Sequence, residues 1–170
     1  MNWRTNILLL SAVGLLSCST LYAAEVGQKL SACPLTKLSN SAQAVELNSF
    51  SGKVLYVDFW ASWCPPCAKS FPFLNELQQQ YALEGLQVIG INLDEEPEDA
   101  EEFLLRFPAK FTLASDLTKQ CAEDLGVVAM PSSYLIDRKG IIRHIHLGFR
   151  AGETEDLRKM VKQLLAEPVI

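Results

Sequence analysis

The feature that most restricts what this chain can fold into is the run Val54-Leu55-Tyr56-Val57-Asp58-Phe59-Trp60-Ala61-Ser62-Trp63-Cys64-Pro65-Pro66-Cys67. Residues 54–60 are aliphatic, β-branched or aromatic with one polar member, the pattern of a strand covered on both faces. The pattern then turns helical from Pro65 to about Leu83, with Pro72 as an expected kink and Gly85 as the stop. A strand buried on both faces needs a layer of helix above and another below, so this stretch already asks for an α/β architecture. It also puts two thiols where a strand feeds a helix.

The spacing gives those thiols a chemistry. With Cys64 at the N-cap, Pro65 and Pro66 fill the first two helical positions and Cys67 the third. Proline is tolerated there, because the first helical N–H groups have no intrahelical acceptor. Two sulfurs three residues apart on one helix face come within disulfide distance. Cys64 sits at the positive end of the helix dipole, which favours its thiolate and makes it the attacking sulfur. Cys67, half a turn inward, is then the resolving thiol. Asp58 is the exception within the strand, since an unpaired buried charge is costly. It is either a strand-edge residue facing water or a buried acid of raised pKa that exchanges a proton with Cys67. Its neighbours Tyr56, Val57, Phe59 and Trp60 favour the buried acid.

The segment from Val57 to Cys67 resembles the active-site signature of the thioredoxin superfamily. Its Trp-Cys-Pro-Pro-Cys form, followed by Pro72, is most similar to the TlpA/ResA-like exported thioredoxins. A second stretch, Val128-Ala129-Met130-Pro131-Ser132-Ser133-Tyr134-Leu135-Ile136-Asp137, resembles that family's cis-proline loop and following strand. The resemblance implies a thioredoxin-like three-layer sandwich: a central mixed β-sheet with helices on both faces, an N-terminal hairpin and an inserted helix-strand element. It also implies that Pro131 is a cis-proline lying against the cysteine pair and that Met130 lines a substrate groove. Trp63 is either plain core or, directly before Cys64, an apolar contact for a partner chain. Glu95 falls where the ResA-like group carries an acid near the active site, although Asp94 and Glu96 could serve equally.

Residues 1–24 read as a secretory signal peptide: one positive charge at Arg4, an apolar core from Ile7 to Leu16, then small residues ending at Ala23-Ala24. Cleavage there is the first expectation. A lipoprotein-type leader with Cys18 as the lipidated residue is the second, and an uncleaved anchor the third. Residues 25–170 then form one thioredoxin-like domain, long enough for a real core. Loss of Arg4 takes the formal charge from −5 to −6. A mildly acidic chain without basic clusters argues against nucleic acid as a partner. The acidic run from Asp94 to Glu102 reads as a solvated loop and helix start.

Two cysteines outside the motif, Cys33 and Cys121, form an even pair in an oxidising compartment. A structural disulfide and two unconnected thiols both stay open, with a slight lean to the latter. Strands are expected at 34–38, 44–47, 54–60, 87–93, 111–114, 134–136 and 141–147, and further helices at 97–107, 118–125 and 154–166. His144 and His146 share a strand face as a metal pair would need, yet with no third ligand a solvent-exposed face is the simpler reading, and no metal site is expected.

The activity these residues support is dithiol–disulfide exchange, with no metal or organic cofactor required. The expected protein is a monomeric reductant of disulfides in client proteins, periplasmic or otherwise extracytoplasmic, recharged by an electron donor at the membrane. The resemblance implies clients such as apocytochrome c or copper-site cysteines. A disulfide oxidase or isomerase, and a copper-handling module using Cys64 and Cys67, are the alternatives.

Overall fold

The computed structural model describes residues 24–168; the expected leader and Cys18 lie outside the described residues. In chain order the elements are β1 (Leu35–Lys37), β2 (Asn40–Val45), β3 (Val54–Trp60), α1 (Pro65–Tyr81), β4 (Leu86–Asn92) and α2 (Pro97–Arg106). They continue with β5 (Thr112–Ser115), α3 (Gln120–Leu125), β6 (Ser132–Ile136), β7 (Ile142–Leu147) and α4 (Thr154–Ala166). The strands form one mixed sheet in the order β2-β1-β5-β4-β3-β6-β7. β3 pairs in parallel with β4 and antiparallel with β6, so the run singled out by its composition lies well inside the sheet.

Alternation along β3 builds two cores, because successive side chains leave opposite faces. Val54, Tyr56 and Trp60 join one cluster, with Cys64, with Cys67, Phe71 and Leu74 of α1, Phe103 of α2, and Leu157, Val161 and Leu164 of α4. Leu55, Val57 and Phe59 join the other, with Cys33, Leu35 and the α3 residues Cys121, Ala122 and Leu125. Asp58 has the parity of Tyr56 and Trp60 and therefore points to the α1 side. All seven β3 residues are buried. A strand-edge Asp58 is thereby excluded.

The first cluster is strongly aromatic. Trp60 and Phe71 meet edge to face with centroids 5.1 Å apart, and Phe71 meets Phe103 and Phe111 in the same way at 5.1 and 5.2 Å. Gly90 of β4 makes room for this packing. A Cβ there would stand 2.9 Å from the Phe111 ring and 3.2 Å from Trp60 Nε1.

On the opposite face the lean toward free thiols is corrected: Cys33 and Cys121 are disulfide-bonded, with Cα atoms 4.9 Å apart. Their sequence separation of 88 hid the contact, which exists because α3 packs onto the segment leading into β1. Smaller departures have local causes. β2 starts at Asn40, ahead of the apolar residues that suggested a later start, because the hairpin is tight. α3 starts at Gln120, since Lys119 adopts a left-handed φ of 61°. The His144–His146 face is not open to solvent: both residues are half-buried, and His144 lines a cavity with Met160 and Leu164 of α4. The two imidazoles stack with centroids 6.2 Å apart.

Candidate active site

The helix α1 begins as its sequence dictates. Cys64 is the N-cap in extended conformation (φ −99°, ψ 98°), with Pro65 and Pro66 at the first two positions. Prolines have no N–H, so Cys67 supplies the first backbone donor of the helix, and it donates to Cys64 Sγ at 3.2 Å. The two cysteines are disulfide-bonded with Cα atoms 5.3 Å apart. Cys64 keeps 3% of its surface exposed and Cys67 none, so of the pair only Cys64 meets solvent. Trp63 beside it is 67% exposed, unusual for the largest apolar side chain.

The approach to Cys64 is clamped from β4. Both oxygens of Asp94 accept from the Ser62 N–H, at 3.1 and 3.0 Å, and Oδ1 also accepts from Ser62 Oγ at 3.0 Å. Asn92 Nδ2 donates to the same carboxylate at 2.7 Å. Lys119 Nζ donates to the carbonyls of Leu93 and Asp94, and the Leu93 N–H donates to the Trp60 carbonyl. Three acids were interchangeable in the sequence; here they separate. Asp94 is buried and anchors the loop, whereas Glu95 and Glu96 are exposed.

Asp58 is 1% exposed. Its Oδ1 accepts from Ser133 Oγ at 2.6 Å, and its Oδ2 is buried without a partner. Loss of solvation pushes the carboxyl up to about 7, against a smaller opposing effect of the Ser133 hydrogen bond. Tyr56, next on the same face, is raised as well, by burial first and then by the charge of Asp58.

The Met130–Pro131 peptide is cis. Its loop is fixed by Ser132 Oγ donating to the Ala129 carbonyl at 2.6 Å and by the Gly148 N–H donating to the Pro131 carbonyl at 2.7 Å. A groove of about 560 Å³ is lined by Trp63 and Met130, with Glu95, Glu96, Asp99 and Glu123 among its acidic residues. The structure thus brings Trp63, Met130 and Glu95 to one depression beside Cys64. The bonded pair Cys33–Cys121 belongs to the other face of the sheet. Among the described residues no group of three or more His, Cys, Asp or Glu side chains is arranged to hold a metal ion.

Sequence reasoning missed the partners of these groups. For Ser133 the available signal is a polar residue in an apolar strand two positions after Pro131. The anchoring roles of Ser62 and Asp94 depend on a contact across 32 residues, and nothing local announces it.

This geometry has relatives. The Redoxin family model matches residues 25–164. A thiol-disulfide oxidoreductase ResA of Bacillus thuringiensis subsp. konkukian is 33% identical over 116 residues, covering 68% of this chain and 66% of that protein. The ResA of Geobacillus kaustophilus is 30% identical over 167 residues, 95% of this chain and 94% of the relative. Among solved structures, a protein of Chlorobium tepidum assigned as thiol:disulfide interchange protein DsbE is 40% identical. It superposes with a TM-score of 0.80 over 85% of this chain and 100% of its own. With a Cys-x-x-Cys disulfide at a helix N-terminus and a cis-proline in the loop between α3 and β6, the chain belongs to the redoxin family of thioredoxin-fold thiol–disulfide oxidoreductases.

Proposed function

We propose that this protein is an exported reductant of disulfides in client proteins, working through Cys64 and Cys67 with Asp58 as the proton-handling acid. The observation that carries the direction is the start of α1. Of its first three residues only Cys67 has an N–H to offer Cys64 Sγ, because the other two are prolines. A strong oxidant owes its potential to a stabilised reduced form, that is, to a well-supported thiolate. Here that support is thin.

The reaction begins with Cys64 as thiolate. It attacks one sulfur of a client disulfide, the client's S–S bond breaks, and the second client sulfur leaves as thiolate. The Cys67 thiol then gives its proton to the Asp58 carboxylate and attacks Cys64 Sγ. The mixed disulfide breaks, the client leaves reduced, and Cys64–Cys67 is oxidised. Two electrons have passed to the client. An acid whose pKa lies near 7 can both take and return that proton at neutral pH. Trp63 and Met130 form the apolar contact surface for the client, and Pro131 presents the backbone beside it. Glu95 is the candidate acid of the groove.

The signal-like residues 1–24 support export, with cleavage after Ala23 or Ala24, or lipidation at Cys18, as the two forms it takes. No described helix is long and apolar enough to cross a membrane. A donor at the membrane returns two electrons to the pair. The test is a trapping experiment. A Cys67→Ala variant expressed with its leader should accumulate mixed disulfides through Cys64, and mass spectrometry of them names the clients. Absence of any trapped protein, or capture of the cytoplasmic form only, refutes the reading.

A further inference from the structure

Asp58 and Ser133 occupy directly opposed positions on β3 and β6, and the same row continues to Gly90 on β4 and His146 on β7. Directly opposed residues leave the same face of a sheet, so Ser133 shares with Asp58 the face covered by α1. Ser133 is 5% exposed, and its hydroxyl spends its proton on Asp58 Oδ1 at 2.6 Å. The other oxygen, Oδ2, is buried and has no partner. The two oxygens of one carboxyl are therefore inequivalent.

We propose that Ser133 is a positioning residue for the redox reaction: by holding Oδ1 it fixes the Asp58 carboxyl and leaves Oδ2 as the oxygen that exchanges a proton with Cys67. The proposal rests on the reading of Asp58 as the acid of the resolving step. In that step the proton leaves Cys67 Sγ for Oδ2, the Cys67 sulfur bonds to Cys64 Sγ, and the client thiolate departs. Ser133 keeps its own proton throughout. A hydroxyl donating to Oδ1 suits both states of the acid, since Oδ1 accepts from it whether or not Oδ2 carries the proton.

The ionisable surroundings of Asp58 are few. Tyr56 adjoins it on β3, the Cys64–Cys67 pair lies on α1, and Gly90 brings no charge from β4. His146 ends the row on β7, with Glu153 Oε2 3.2 Å from its Nε2 and Arg150 paired to Glu153 at 2.8 Å. Among the described residues no cation is hydrogen-bonded or ion-paired to the carboxyl. Ser133 is its sole hydrogen-bond partner among the described residues.

The decisive variant is Ser133→Ala, with Ser133→Thr as the conservative control that restores a hydroxyl and suits a strand. In the oxidised protein the four described cysteines are disulfide-bonded and do not titrate, so carbon-13 NMR of the Asp58 carboxyl follows that group apart from the active-site thiols. Ser133→Ala should move its titration upward by about one pH unit, since a hydrogen bond to a charged group is lost. Ser133→Thr should restore it. In the reduced protein Ser133→Ala should shift the pH profile of the resolving step, and the shift should vanish in an Asp58→Asn background. An unmoved carboxyl titration overturns the proposal, as does a kinetic shift that persists without Asp58. Failure of the underlying acid reading is seen elsewhere, in Asp58→Asn alone keeping the wild-type pH profile.

Discussion

Replacing Asp58 by Asn should make the oxidised protein more stable at neutral pH and remove part of its pH dependence. The carboxyl is raised from 3.8 to about 7 by burial, so the folded state binds this proton more tightly than the unfolded chain does. A group of that kind stabilises the fold fully below its unfolded pKa, and the contribution is lost as pH rises through the folded one. The window therefore runs from about pH 4 to about pH 7. Across it the loss is about 4 kcal/mol, at about 1.4 kcal/mol per pH unit. Between pH 5 and pH 8, where most proteins can be handled, about 3 kcal/mol of that remains. An Asn has no proton to lose and can still accept from Ser133. His144 works in the opposite sense, because burial and then the neighbouring His146 hold its pKa down. It is common to both proteins and cancels in their difference. Urea unfolding of oxidised wild type and Asp58→Asn at a series of pH values measures that difference directly. It should grow in favour of Asn by about 3 kcal/mol from pH 5 to pH 8. Parallel curves would show that the carboxyl is not proton-binding in this range and would refute the reasoning.

Three further variants test other contacts of the fold and site. Replacing both Cys33 and Cys121 by Ser should cost about 4–5 kcal/mol in urea unfolding, because the bridge closes a loop of 88 residues. The same variant should leave the potential of the Cys64–Cys67 pair unchanged in a redox titration, since the bridge lies on the other face of the sheet. Trp63→Ala should slow reduction of a protein disulfide roughly tenfold while leaving reaction with a small dithiol near wild type, as expected of an exposed apolar contact. Asp94→Ala should destabilise by about 2–4 kcal/mol, because the Ser62 N–H and the Asn92 amide lose their acceptor. Thermal and urea unfolding would each detect that loss.

What the sequence made legible was the part of the molecule in which pattern and chemistry coincide. The core strand, the helix start and its N-cap cysteine follow from a residue order that few other local structures tolerate. The bounds of β3 and α4 agree with their periodicity to the residue. The burial of Asp58 was legible because its neighbours leave no wet face. The partners across the sheet were not. Ser133 meets Asp58 over 75 residues and Asp94 meets Ser62 over 32, and such pairings depend on strand order, which hydrophobic pattern does not encode. The Cys33–Cys121 bridge was hidden for the same reason. The histidine face was misread because alternation tells which side of a strand a residue takes, not whether a helix later covers it. The acid beside the active site shows the limit of positional matching: Asp94, one residue from Glu95, proves to be the anchor of the loop.

The central claim is that Cys64 and Cys67 form a reversible couple poised for reduction. Equilibration of the domain with dithiol buffers of graded potential, read by thiol labelling and mass, measures it in one titration. A single two-electron transition at positions 64 and 67 is expected, with a potential below about −180 mV and toward the about −270 mV of thioredoxin. A potential near about −120 mV, or no reversible transition at those two sulfurs, would contradict it.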